Sequence, residues 1–233
     1  MISHEKKIVF VHIPKTGGKR LSEFLLPYCD EESLQFSPFV ENGNLHATVS
    51  EYVQYYGHER LKDYKFFCIV RNPFERVVSM HFHQNNNIFD REKFHKLVFD
   101  PQAVGAWPHS HFHFMLNPGA QETLVRTFGG DPDHDIVLGY PPQPTEEHTT
   151  YLLNSIWPME KIRFENYASE VSEWLACHEI MHDPSQLFVK SNTTNHRHYS
   201  HYFQLDEIRE IQYMCGLDLQ TMNYGFERVG GSQ

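Results

Sequence analysis

Cysteine is scarce in this 233-residue chain: the four residues Cys29, Cys68, Cys177 and Cys215 stand far apart and form no C-x-x-C. That spacing excludes a zinc ribbon and a dithiol redox motif, and scattered thiols suit a reducing compartment. Long apolar runs are also missing. The first one, Ile8 to Ile13, is too short and too interrupted for a signal peptide or a membrane span, so a cytoplasmic protein without a transmembrane segment is expected. Basic residues are outnumbered, with 20 Lys and Arg against 30 Asp and Glu, which argues against nucleic acid or an anionic membrane as a general partner. There is no internal repeat and no low-complexity tract or linker that would divide the chain. What is present is 40% hydrophobic and 14% aromatic content, enough to bury a core, and the expectation is one domain spanning residues 1–233.

Charge is unevenly distributed. Residues 1–80 carry ten basic and ten acidic side chains, whereas the remainder carries the whole net charge of −10, so an anion site is better sought in the first third. There, Ile8-Val9-Phe10-Val11 reads as a buried strand running into Pro14 and two glycines, and Leu21, Phe24 and Leu25 follow at helical spacing until Pro27. A second unit repeats the pattern: Phe66 to Val70 reads as a strand, Arg71-Asn72-Pro73 as a turn, and Val77, Val78, His81 and Phe82 as a helix. Between them Thr48-Val49-Ser50-Glu51 has the form of a capping box, opening a helix that Gly57 closes. Alternating strands and helices predict an α/β fold with a central parallel sheet flanked by helices. Residues 85–150 are rich in Asn, His, Pro and Gly and predict long loops, with one short helix near Glu122 to Phe128. Order returns with a strand at Ile162-Arg163-Phe164, a helix around Ala168 to Cys177 and a last helix from Leu205 to Met214.

The segment His12-Ile13-Pro14-Lys15-Thr16-Gly17-Gly18-Lys19-Arg20 lies where the first strand becomes the first helix. Unpaired backbone N–H groups and the helix dipole favour an anion at such a place. It is a P-loop-like phosphate-binding loop without the nucleotide-triphosphatase pattern, which would need Gly at Ile13 and Ser or Thr at Arg20. The segment resembles the loop H-I-P-K-T-G-G-T-[ST] of sulfotransferases that use 3′-phosphoadenosine-5′-phosphosulfate (PAPS), in particular the carbohydrate-type branch, and seven of nine positions match. The resemblance implies that Lys15 reaches the oxygen bridging phosphorus and sulfur, while Thr16, Gly17, Gly18, Lys19 and Arg20 hold the 5′-phosphate. Lys19-Arg20 replaces two hydroxyl residues of the family pattern.

Val70-Arg71-Asn72-Pro73-Phe74-Glu75-Arg76-Val77-Val78-Ser79 is similar to the family's V-R-[DN]-P-x-x-R-[LV]-x-S, which implies that Arg71 and Ser79 bind the nucleotide's 3′-phosphate. Independently of the family, an arginine at the carboxyl end of a parallel strand is placed where such sheets bind ligands. Arg163-Phe164-Glu165-Asn166 and the stretch Lys190-Ser191-Asn192-Thr193 with Tyr199 and Tyr202 are further, weaker matches, the second to a loop that closes over the nucleotide.

Sulfuryl transfer needs a base for the acceptor proton. Among seventeen histidines, His46 stands between the two phosphate motifs and matches the family's H-[AS]-T segment, which implies that role. His12 is expected to fix loop geometry. The alternating sets His81/His83, His109/His111/His113 and His196/His198 are expected to be solvated or to line the acceptor, since no Cys or carboxylate stands at a matching spacing for a metal. No metal is required in principle, because positioned cations and backbone donors can neutralise developing charge. The expected activity is transfer of a sulfo group from PAPS to an acceptor hydroxyl, leaving 3′-phosphoadenosine-5′-phosphate (PAP). The acceptor, a saccharide or small metabolite, would be chosen in the loop-rich region 85–150, and the excess of acid there disfavours a heavily sulfated polyanion. A nucleotide-kinase-like phosphotransferase and a non-catalytic nucleotide-binding module remain as alternatives, separable by magnesium dependence and by binding without turnover.

Overall fold

The structure is a computed structural model that describes residues 1–29, 46–106, 109–120, 123, 146–187 and 195–229. These fall into two compact units: Met1–Arg71 with Phe114–Pro118 and Ile156–Asn192, and Asn72–His113 with Gly119–Ser155 and Thr193–Gln233.

The first unit is an α/β layer built on a sheet in the order β1 (Ile2–Ser3), β2 (Ile8–Val11), β3 (Lys65–Val70) and β4 (Met159–Arg163). β2, β3 and β4 are parallel, with Phe10 opposite Phe67 and Val70 opposite Arg163. β1 departs from the all-parallel expectation. It pairs antiparallel to β2, returning through a turn in which Lys7 has φ 51°, and two residues are too few to show a periodicity in the sequence. All four residues of β2 and the last five of β3 are buried, as expected of strands covered on both faces.

One face packs Phe10, Phe67, Ile69 and Ile162 against α1 (Gly18–Leu25) through Leu21 and Leu25. On that same face lies the helix Tyr167–Cys177, which contributes Val171, Trp174 and Leu175, and Trp174 stacks on Phe67 with ring centroids 3.6 Å apart. On the other face α2 (Val49–Tyr56) sets Tyr52 edge-on to Phe66. The capping box of α2 is formed in full: Thr48 Oγ1 accepts from Glu51 N, and the Glu51 carboxylate accepts from Thr48 N at 2.7 Å.

The second unit is helical around a core of its own. α3 (Pro73–Gln84) and α4 (Arg91–Phe99) bring Phe74, Val77, Val78, Phe94, Leu97 and Val98 together with Ile208, Ile211 and Met214 of the helix Leu205–Met214. Asn72 caps α3, accepting from Phe74 N, and Pro73 supplies the first helical residue, where its missing N–H costs nothing. α4 corrects the expectation of loops after residue 85. Phe94, Leu97 and Val98 have helical spacing, but Asn- and Pro-rich flanks on either side hide it. A further helix, Glu146–Asn154, ends the region, and the helix expected near Glu122 to Phe128 lies outside the described residues apart from Thr123.

Candidate active site

β2 delivers the chain into the loop His12–Gly17, and α1 starts at Gly18. Lys15 and Gly17 both have left-handed backbone, with φ 64° and 83°. Between them Thr16 is fully buried, and its hydroxyl donates to the Ile13 carbonyl at 2.8 Å, so this side chain braces the loop from within. Gly17 is the N-cap of α1. Among the described residues no side chain caps the helix, and no acidic residue stands in its first turn, so its amino end is electrostatically open to an anion.

The glycines are required by their neighbours. A Cβ on Gly18 would lie 2.2 Å from Cδ2 and 2.5 Å from Nε2 of His12 and 2.9 Å from Phe10 Cζ; one on Gly17 would lie 2.8 Å from Phe164 Cε2. His12 is buried and stacked on Phe10 (centroids 5.4 Å, 18°). Burial, reinforced by the nearby His46, holds its imidazole well below the ordinary value of 6.5. Its Nδ1 is buried without a hydrogen-bond partner among the described residues.

The other expected residues are distributed as follows. His46 directs Nδ1 to the His12 carbonyl at 2.8 Å and sets its ring edge-on to His12 at 4.5 Å. A carbonyl only accepts, so Nδ1 carries the proton and Nε2 is the basic nitrogen. Arg71 leaves the end of β3 with 8% exposure, donates from Nη1 to the Lys15 carbonyl at 3.0 Å, and lies 4.2 Å from the Phe164 ring centroid. Burial first, and the Arg71 charge second, push the Lys15 ammonium down to about 8. Lys19 is exposed. Arg20 turns along α1, donating to Glu23 at 2.5 Å and to the Gln186 carbonyl at 3.2 Å, with its guanidinium over Phe24. Ser79 is buried on α3 in the second unit.

Phe164 lies against the loop, beside Gly17. It follows β4 directly, in the R-F-E-N match, but nothing local marks it as the ring beneath the loop.

Three of the downstream histidines correct the expectation of solvated or acceptor-lining rings, while His83 is exposed and His113, His196 and His198 are partly exposed. His81, His109 and His111 are buried within the second unit. His81 Nε2 accepts from Asp90 N, and His109 Nε2 donates to the Leu97 carbonyl. His111 donates from Nδ1 to Asp218 at 2.6 Å, a carboxylate that also takes the Ser110 hydroxyl. Among the described residues no group of three or more His, Cys, Asp or Glu is placed to hold a metal ion. Tyr199 belongs to the core of the second unit beside Phe74; residues 190–194 lie outside the described residues.

An α/β sheet whose strand ends carry a lysine-bearing glycine loop at an open helix terminus offers the backbone donors and positive charge that an anion needs. The family model described as the Sulfotransferase family matches residues 1–107, from β1 through α4 and including the loop, His46, Arg71 and Ser79. Residues 1–107 are thus similar to the Sulfotransferase family, which supports a sulfotransferase family 2-like protein with sulfo transfer as its general chemistry. No curated protein and no solved structure matches the chain. Among the described residues no helix is long and apolar enough to cross a membrane.

Proposed function

We propose that the sulfo donor is PAPS and that the acceptor is a hydroxyl of a saccharide, glycoconjugate or small metabolite, with His46 as the base. The observation that carries this reading is the His46 Nδ1 to His12 carbonyl bond, which ties the candidate base to the loop bearing Lys15. A donor of that class fits the residues present: among the described residues the amino end of α1 has no side-chain cap, Lys15, Lys19 and Arg71 supply cations, and the cleared space at Gly17 and Gly18 lets backbone approach closely. When bound, PAPS supplies an activated sulfo group on a phosphate leaving group.

Lys15 holds a proton at neutral pH and stabilises negative charge that grows on the leaving oxygen. The backbone of Thr16 to Gly18 together with Lys19 cradles the 5′-phosphate; Arg20, engaged with Glu23 and Gln186, contributes positive charge from further along α1. His46 Nε2 takes the acceptor proton while the His12 carbonyl fixes its tautomer. Arg71 contributes to the 3′-phosphate site, and Ser79 is assigned there by the motif. A reducing, cytoplasmic setting is the one that the scattered cysteine spacing favours.

Calorimetric titration with PAP, adenosine 5′-phosphate and ATP tests the donor. Charge-assisted hydrogen bonds to the 3′-phosphate, at about 1.5–3 kcal/mol each, make PAP bind at least about tenfold more tightly than adenosine 5′-phosphate. Equal affinities would remove the 3′-phosphate site and with it the PAPS assignment.

A further inference from the structure

We propose that Arg71 and Phe164 form a clamp that holds the loop's two left-handed residues in place and so positions Lys15; this rests on the part given to Lys15 in the proposed reaction. Lys15 at φ 64° is a side-chain-bearing residue in a region such residues seldom enter, and Gly17 at φ 83° follows two positions later. A loop of this shape persists only where its surroundings over-determine it. Thr16 supplies one restraint from inside, through its bond to Ile13. The other comes from the ends of two neighbouring strands.

Arg71 follows β3 and Phe164 follows β4, and the register that sets Val70 opposite Arg163 brings the two side by side. Nη1 of Arg71 donates to the Lys15 carbonyl at 3.0 Å, the group whose direction the left-handed backbone decides. The guanidinium rests over the Phe164 ring at 4.2 Å, which holds it in one orientation. The same ring occupies the space beside Gly17, where an added Cβ would meet its Cε2 at 2.8 Å and its Cδ2 at 3.0 Å. One aromatic ring therefore supports residue 17 directly and residue 15 through Arg71. Arg71 is, on this account, a positioning residue within the donor-free protein as well as a cation for the nucleotide. A lysine at 71 would keep the charge but lose the planar fork that stacks and donates at once.

Phe164→Leu, Phe164→Tyr, Arg71→Lys and wild type are compared in the donor-free protein by hydrogen exchange, and then by turnover with PAPS and by PAP titration. Phe164→Leu is the decisive variant, because it removes no charge and is milder than a change at Arg71. It should speed amide exchange in the loop by about tenfold or more while exchange in β3 stays unchanged. It should also lower kcat by about tenfold or more with PAP affinity altered less than about threefold. Phe164→Tyr should restore both, and Arg71→Lys should match Phe164→Leu in loop exchange. Unchanged loop exchange in Phe164→Leu would overturn the clamp, as would a loss of PAP affinity with kcat intact, which would make the ring a ligand contact. If the protein transfers no sulfo group from PAPS, the exchange measurement alone decides: faster loop exchange sustains the clamp while the reaction assignment fails.

Discussion

Gly18→Ala is the sharpest perturbation of the loop, because Gly216 offers a matched control. Both glycines occupy the first position of a helix, at Gly18–Leu25 and Gly216–Thr221, and neither has a positive φ. A Cβ at Gly216 meets nothing within 4 Å, whereas one at Gly18 meets three ring atoms of His12 and Phe10 at 2.2, 2.5 and 2.9 Å. The two rings have little room to yield: they stack on one another, Phe10 also stacks on Phe67, and His12 is flanked by His46. Overpacking of this kind costs about 1–3 kcal/mol, here toward the upper end. Replacing Gly by Ala in a helix returns at most about 1 kcal/mol. The net expectation is a loss of about 2 kcal/mol for Gly18→Ala and a change between zero and about 1 kcal/mol of stabilisation for Gly216→Ala. In a chain of this size that lowers Tm by about 4–8 °C. Thermal and urea unfolding of both variants measures the difference, and repeating Gly18→Ala in a His12→Ala background should show a smaller cost, since most of the clash is then gone. Equal stability of the two alanine variants, or a cost indifferent to His12, would refute the argument.

Three other outcomes follow from the site. With Lys15 active as the ammonium and its pKa near 8, turnover should fall as pH rises through that value, and Lys15→Arg should carry the alkaline limb upward; a limb unmoved in that variant would assign it to another group. The unfolded chain keeps that lysine protonated to about 10.5, so stability should rise between roughly pH 8 and 10.5 in wild type but not in Lys15→Met. His46→Ala should lose a factor of about 10² to 10⁴ in turnover with PAP binding intact, and near-normal turnover would exclude it as the base. Burial lowers the pKa of His12 and brings His81 and His109 down to about 4 from 6.5, so the unfolded chain binds more protons below pH 6.5 and stability should fall as pH drops toward 4. For His109 alone this is about 2 kcal/mol at pH 5. A urea midpoint that stays flat from pH 7 to 5 would contradict it.

Features that depend on neighbours in the chain are legible in the amino-acid sequence itself. The strand Ile8–Val11, the glycines at the start of α1, the capping box at Thr48 and the helix Leu205–Met214 are written in residues that touch within one or two turns. Local propensity and periodicity report such contacts directly. Arg71 at the end of β3 is legible in the same way, from a buried run followed by Asn-Pro.

What only the tertiary structure decided are contacts between residues far apart in sequence. The loop's support by Phe164, 147 positions after Gly17, depends on β4 pairing with β3 and not on any pattern near either residue. The burial of His111 against Asp218 is of the same kind, and it turned a histidine-rich tract that looked solvated into part of a core. His46 stands between these cases. Its position between the glycine loop and the Arg71 motif can be read from the chain, but its tautomer, and hence which nitrogen can accept a proton, is set by a carbonyl 34 residues away. Composition specifies which groups are available to be paired; the fold determines which of them meet, because a hydrogen bond is decided by ångströms that sequence separation does not encode.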